Sequence, residues 1–232
     1  MNRKPAIIGA MDSEIAMYLE HGEVHKEHLW HEFTFYEMTL KGTPCIVSKS
    51  GIGKVMSAMV CQHLIDKFNP SEIIFTGVAG ALNEKLDIGD VIISKDCMQH
   101  DIDGRALGFP RGTILFSEKS VFKADERLHD MAMATHVAGH KIYSGRILTG
   151  DQFFTHKDIE EHAYLHDDMN GDCIEMEGGS IGLVCNENNL PFVIVRTISD
   201  KADGSAAEDF SKLHHLVAGN SYQIVSQMLL KL

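Results

Sequence analysis

A single α/β domain is what this sequence predicts, and three observations carry the prediction. Apolar runs of strand length, at residues 6–10, 72–76 and 191–195, alternate with stretches of helical length. Two further β-like runs, 33–40 and 43–49, are separated only by Lys41-Gly42, a two-residue hairpin signal that makes them antiparallel neighbours. No internal repeat, linker or low-complexity segment divides the 232 residues, so one core is expected.

Taken in order, residues 6–10 form a buried strand that turns through Met11-Asp-Ser-Glu14 into a helix reaching about residue 20, with Asp12 or Ser13 as its cap. Glu14 then lies beside the carboxyl end of the strand, where taken alone it reads as a first-turn helix acid. After the hairpin, Ser50-Gly-Ile-Gly-Lys54 leads into a helix over 55–68. A glycine-rich turn there lets backbone N–H groups approach an anion or polar ligand. Its spacing matches neither a Walker A loop nor Gly-x-Gly-x-x-Gly. Residues 72–76 read as a strand closed by Gly77-Val-Ala-Gly80, and 88–94 as another. The stretch 96–118 reads as irregular, and a loop that long is commonly functional or part of an interface. Residues 122–138 read as a helix and 141–149 as a strand ending in Gly150-Asp-Gln-Phe-Phe154. Helices are expected at 157–166, from Gly178 to about 186, and over 206–230, the last following a strand that ends on Ser199-Asp200.

Chemistry concentrates in Cys173-Ile-Glu-Met-Glu-Gly-Gly-Ser180 and Arg196-Thr-Ile-Ser-Asp200. Both place carboxylates in apolar surroundings, where an ionised acid costs several kcal/mol unless it is paired, protonated or used. The plain alternative is that Glu175 and Glu177 are first-turn helix acids worth about 0.3–1 kcal/mol each, and that Asp200 is a cap. Position favours function, because ligands of open α/β sheets bind beyond the carboxyl ends of strands. Phe153 and Phe154, directly after a strand end, either stack on a planar ring or fill the core. The pairs His136/His140 and His162/His166 have the i,i+4 spacing of metal ligands, but exposed polar helices often carry such pairs and no His-Glu-x-x-His occurs.

Composition removes several classes. A formal net charge of -12 argues against binding a phosphate backbone, so nucleic acid is not an expected partner. Five cysteines without a Cys-x-x-Cys pair indicate neither a disulfide framework nor a zinc cluster, and they fit a reducing cytoplasm. The apolar run after Met1 is too short for a signal segment or a membrane span. A cytoplasmic protein with no metal, cofactor or membrane partner is expected.

Gly9-Ala-Met-Asp-Ser-Glu14, Lys49-Ser-Gly-Ile-Gly-Lys54, Thr76-Gly-Val-Ala-Gly80, Gly150-Asp-Gln-Phe153, Glu175-Met-Glu177 and Arg196-Thr-Ile-Ser-Asp200, in that order, resemble the methylthioadenosine/S-adenosylhomocysteine nucleosidases of the nucleoside phosphorylase superfamily. The resemblance runs from about residue 6 to the C-terminus. It implies a mixed, partly closed central sheet flanked by helices, and a homodimer. It also implies roles. Asp200 is similar to the acid that protonates adenine N7, Glu14 to the base that activates water, and Glu177 to the residue holding the ribose hydroxyls, with Met176 under the sugar. Phe153 is similar to the aromatic that stacks on adenine, backbone groups around Phe154 to those that read the base edge, and Ser199 to a further binding residue. Met11, Ile52 and Phe210 resemble walls of the 5′-alkylthio pocket, and Leu107 and Phe109 a loop lent by the partner subunit to that pocket.

Elementary chemistry agrees with these roles. Breaking an N-ribosidic bond builds positive charge on the sugar and negative charge on the departing base, so an acid must meet the base and anions must face the sugar. A phosphorylase of this superfamily would hold phosphate with arginines, yet none occurs between Arg3 and Arg105. Hydrolysis is therefore expected, with aminodeoxyfutalosine as an alternative substrate and a catalytically silent nucleoside-binding protein as the reading from another class. Three features depart from the family pattern: Val78 where a small hydroxyl residue is common, Gly178-Gly179 where larger residues follow the Glu-Met-Glu motif, and a smaller or less aromatic Gly104 and Leu107 in the partner loop.

Overall fold

The computed structural model describes residues 4–154, 162–200 and 206–232, with the side chains of the last helix described from residue 218 onward. Among them, ten strands make one mixed sheet: β1 (Ala6–Gly9), β2 (Glu23–Trp30), β3 (Phe33–Leu40), β4 (Thr43–Lys49), β5 (Ile73–Ala81), β6 (Val91–Gln99), β7 (Val121–Lys123), β8 (Ile142–Thr149), β9 (Cys173–Glu175) and β10 (Phe192–Asp200). Their order is β10-β6-β8-β9-β5-β1-β4-β3-β2, with β7 on β6. A further parallel pairing of β10 with β5 closes β5, β10, β6, β8 and β9 into a ring, from which β1 to β4 extend as an open wing. The helices are α1 (Asp12–His21), α2 (Lys54–Phe68), α3 (Glu126–Met133), α4 (Tyr164–Asp167), α5 (Gly178–Glu187) and α6 (Ala206–Leu229).

Alternating side chains explain why helices cover both faces. In β1, β4, β5 and β10, Ile8, Ile46, Ile73, Phe75 and Ile194 join one apolar cluster with Val60 and Leu64 of α2 and Ile181 of α5. Their neighbours Ile7, Val47, Ile74, Val193 and Val195 join the opposite cluster, with Tyr18 of α1, Leu128 of α3 and Ile224 and Val225 of α6. Strands buried on both faces are the continuous apolar runs read in the sequence. The Lys41-Gly42 turn forms as expected, with φ of 51° and 83°, the doubly positive pair of a type I′ hairpin.

Several expectations are corrected. The N-cap of α1 is Met11, and neither Asp12 nor Ser13 takes that place. Strand β5 continues through Gly77-Val-Ala-Gly80 to Ala81, because β10 pairs alongside its whole length. Residues 96–99 are the end of β6, held by β7 and β8. Residues 121–123 form β7, and the helix read over 122–138 is only α3, whose start is capped by the Asp125 carboxylate accepting from the Leu128 N–H at 3.0 Å. His136 and His140 lie beyond it, so they share no helical face. Half of the helix expected at 157–166, residues 157–161, falls outside the described residues, and the rest holds the start of α4. Edge strand β2, mostly exposed and charged, carries no apolar alternation to betray it; it pairs with β3 and docks Trp30 flat on His63 at 3.9 Å. Among the described residues no helix is long and apolar enough to cross a membrane.

Candidate active site

The carboxyl ends of β1, β5, β8, β9 and β10 converge on one cleft. Met11, Glu14, Ile52, Phe153, Phe154, Met176, Glu177, Ser199 and Asp200 all line it, together with Ala10, Val78, Ala79, Gly80, Gln152, Ile174 and Glu175. It encloses about 620 Å³ of space free of protein atoms, part of it open to solvent, a size usual for small-molecule sites.

Glu14 sits in the first turn of α1, buried, with its carboxylate turned back over the end of β1. It accepts the N–H groups of Ala10 (2.6 Å) and Met11 (3.0 Å) on one oxygen and that of Val78 (3.0 Å) on the other. A carboxylate offers about four lone-pair positions. Three backbone donors thus fix the group while leaving acceptor capacity toward the cleft. Val78 supplies its backbone N–H but no hydroxyl, as the sequence departure required.

Arg196, on β10, is wholly buried and is the group that sequence reasoning quoted without giving it work. Its guanidinium bonds the Glu175 carboxylate, reaches Glu177 at 3.2 Å and Glu14 at 3.9 Å, and stacks 4.3 Å from the Phe75 ring. Glu175 also accepts from the Thr149 hydroxyl and from the N–H groups of Glu177 (3.1 Å) and Gly178 (2.8 Å) at the start of α5. That is the helix-terminus role read as the alternative for Glu175. Gly77 makes room for this cluster: a Cβ there would fall within the van der Waals envelope of both Arg196 Nη1 and Glu14 Oε1. Gly178 and Gly179 answer to protein neighbours and not to a ligand, since a Cβ on them would meet the Ile194 and Thr149 side chains.

Glu177 accepts from the Gly53 N–H at 2.9 Å, so the glycine-rich turn does hold a polar group, a carboxyl supplied by the chain itself. Burial, and next the Glu175 charge, push the Glu177 carboxyl up to about 8, against the opposing pull of Arg196 and the Gly53 N–H. Asp200, which also lines the cleft, is buried, and the Ser199 hydroxyl donates to its Oδ2 at 3.0 Å. The two phenylalanines divide the readings made for them. Phe154 is buried against Met98, Leu148 and Leu165, edge-on to His100, whereas Phe153 is 52% exposed on the cleft wall.

Leu107 and Phe109 do not reach this cleft within their own chain; Leu107 is 65% exposed, and Phe109 packs edge-on against Phe116. The side chain of Phe210 lies outside the described residues. Among the described residues no group of three metal-binding side chains forms.

Buried carboxylates lining one cleft, a guanidinium shared among three of them and a partly closed α/β sheet are the marks of a small-molecule enzyme. The chain belongs to the phosphorylase superfamily, whose family model matches residues 4–230. Within it, the chain is 35% identical over 230 residues to an aminodeoxyfutalosine nucleosidase of Campylobacter jejuni, covering 99% of this chain and 97% of that one. It is 34% identical over 236 residues to a 5′-methylthioadenosine/S-adenosylhomocysteine nucleosidase of Anoxybacillus flavithermus, covering 97% of each. The crystal structure of the corresponding nucleosidase of Neisseria meningitidis, in complex with methylthio-immucillin-A, superposes with a TM-score of 0.92 at 32% identity over the whole of both chains. The resemblance read from the motifs therefore holds, and so does the single-domain fold with its closed central sheet.

Proposed function

We propose that this chain hydrolyses the N-ribosidic bond of 5′-methylthioadenosine and S-adenosylhomocysteine, releasing adenine and the 5′-thioribose sugar. The observation that carries hydrolysis over phosphorolysis is Glu14. Its carboxylate is fixed by three backbone N–H groups at the cleft floor, where it would activate water and repel phosphate. Arg196, the guanidinium beside it, is already shared among Glu14, Glu175 and Glu177.

In this reading Asp200 protonates the purine N7 as the bond breaks, and Glu14 directs water to the opposite face of the sugar, the division of labour of inverting glycoside hydrolysis. Glu177, whose carboxyl burial pushes up to about 8, would both donate to and accept from the ribose hydroxyls. Met176 lies under the sugar, Phe153 stacks on the base, backbone groups near Phe154 read its edge, and Met11 and Ile52 wall the 5′ substituent. A homodimer would bring Leu107 and Phe109 to the partner's pocket. Its support is the exposure of Ile52, Val55, Met59, Leu107 and Phe116, apolar side chains that a second copy would cover. Five buried cysteines with free thiols agree with a cytoplasmic location.

A second substrate, aminodeoxyfutalosine, is favoured by the Campylobacter relative. The test is adenine release from all three nucleosides in phosphate-free buffer and again with phosphate, following the sugar products. Release without phosphate to free sugars is expected. Strict phosphate dependence with a sugar 1-phosphate product would make the chain a phosphorylase, and release from aminodeoxyfutalosine alone would move the second substrate to first place.

A further inference from the structure

We propose that Lys54 is a positioning residue for the nucleobase end of the cleft, clamping the Asp151–Phe154 turn against the helix that also holds the ribose carboxylate. The inference rests on the nucleosidase reading only for what the turn contacts; the clamp itself is geometric. Lys54 opens α2. Its backbone N–H donates to Asp151 Oδ1 at 2.8 Å, and its ammonium donates to Asp101 Oδ1 at 2.6 Å and stands 3.7 Å from Asp151 Oδ2. Asp101 in turn accepts the Asp151 backbone N–H at 3.0 Å. The Asp151 side chain and backbone are thus tied at separate points, through Lys54 and through an aspartate that Lys54 itself pairs.

One residue earlier, the Gly53 N–H holds Glu177. Two consecutive amides at the start of one helix therefore fix a ribose-end carboxylate and the turn that carries Phe153. Gly53 has a φ of 91°, and a Cβ there would stand 3.1 Å from Asp151 Oδ1, so the close approach depends on that glycine. The Lys54 side chain is 18% exposed and that of its partner Asp101 29%, which leaves the pair only partly screened. Burial pushes the Asp101 carboxyl up, but the Lys54 hydrogen bond, the Asp151 N–H and the Lys54 charge bring it below the ordinary aspartate value.

The far end of the turn is fixed differently, by Phe154 in its apolar cluster. Without the ammonium, two aspartates face each other at the near end and the turn relaxes away, taking Phe153 off the plane of the base. Glu14, Asp200 and the Arg196 cluster do not touch Lys54, so the chemical step on a bound substrate should persist.

The experiment compares wild type with Lys54→Met and Lys54→Arg. It measures adenine affinity by calorimetry, KM and the single-turnover rate at saturating 5′-methylthioadenosine, and the thermal midpoint. For Lys54→Met, adenine binding about tenfold weaker is expected, with KM raised in parallel. Its saturating rate should fall by less than its affinity, its midpoint should drop only modestly from the lost ion pair, and Lys54→Arg should restore most of the affinity. Adenine affinity unchanged in Lys54→Met overturns the proposal. So does a parallel fall of affinity, saturating rate and midpoint that arginine does not rescue, which marks a merely structural residue. Adenine binding by a wild type that turns over no nucleoside sinks the hydrolase reading alone, and the comparison of affinities still decides the role of Lys54.

Discussion

Replacing Arg196 by methionine tests the physics of the buried cluster most severely. The side chain is wholly buried, and its one positive charge answers the carboxylates of Glu175, Glu177 and Glu14. Methionine keeps the apolar stem and much of the contact with Phe75, so little cavity forms and the loss is chiefly electrostatic. Removing one partner of a buried pair costs about 3–5 kcal/mol, because the remaining charge stays uncompensated. Proton uptake moderates this. Glu177 carries part of its proton up to about pH 8, so the carboxylates left unanswered are those of Glu175 and Glu14, whose backbone donors persist. A loss of roughly 3 kcal/mol is expected at pH 7. Arg196 also restrains the Glu177 shift, so its removal moves that carboxyl further up. Wild-type Glu177 ionises above pH 8 while the variant's does not, and the deficit must therefore grow between pH 7 and 9. Urea unfolding at both pH values, read as midpoint and slope, measures it. A deficit under about 1 kcal/mol, or one that shrinks as the pH rises, would refute the reasoning.

Glu177→Gln should alter the pH profile of stability with a definite sign. A folded-state value raised to about 8 stabilises the fold below the ordinary glutamate range, and that contribution disappears as pH climbs through 8, so the variant's unfolding free energy should decline less than wild type's between pH 5 and 9. His100 titrates in the opposite sense. Burial depresses it to about 4, so wild-type stability falls as pH drops from about 6.5 toward 4, and in His100→Gln acid unfolding should lose that component. Gly77→Ala should push Arg196 and Glu14 apart, costing about 1–3 kcal/mol in chemical denaturation and most of the activity in an adenine-release assay.

Much of this fold was legible because buried strands write themselves as apolar runs: Ile7, Ile8, Ile73, Ile74 and Val193 to Val195 need no partner to be recognised. What escaped was decided by neighbours. Gly77-Val-Ala-Gly80 reads as a strand stop, yet β10 pairs along it and the glycine makes room for Arg196. Strand β2 is exposed along most of its length, so no alternation marks it, and the Trp30–His63 stack that docks it joins residues 33 apart in sequence. Helix α3 ends at Met133 because beyond the Ala134 N–H, bonded to the Asp130 carbonyl, the chain tightens into a turn in which the Thr135 N–H bonds the Ala132 carbonyl. In the site, Glu175, Glu177 and Asp200 were visible as acids in apolar surroundings, while Glu14 stood out only through the resemblance. The guanidinium joining three of them was not, since one arginine in a strand pattern announces neither its depth nor its partners. A signal existed: an arginine among residues as apolar as 192–198 has to be paired. The Lys54 clamp was equally hidden, being assembled from three separate strand ends.

The most direct single measurement is the single-turnover rate of glycosidic cleavage by Asp200→Asn on 5′-methylthioadenosine, taken beside the dissociation constant of the same variant for that nucleoside. General-acid catalysis typically contributes about 10²–10⁴ in rate, so the variant should bind within a few-fold of wild type and cleave at least about a hundredfold more slowly. Cleavage at the wild-type rate would remove Asp200 from the leaving group and with it the acid-and-water division between Asp200 and Glu14.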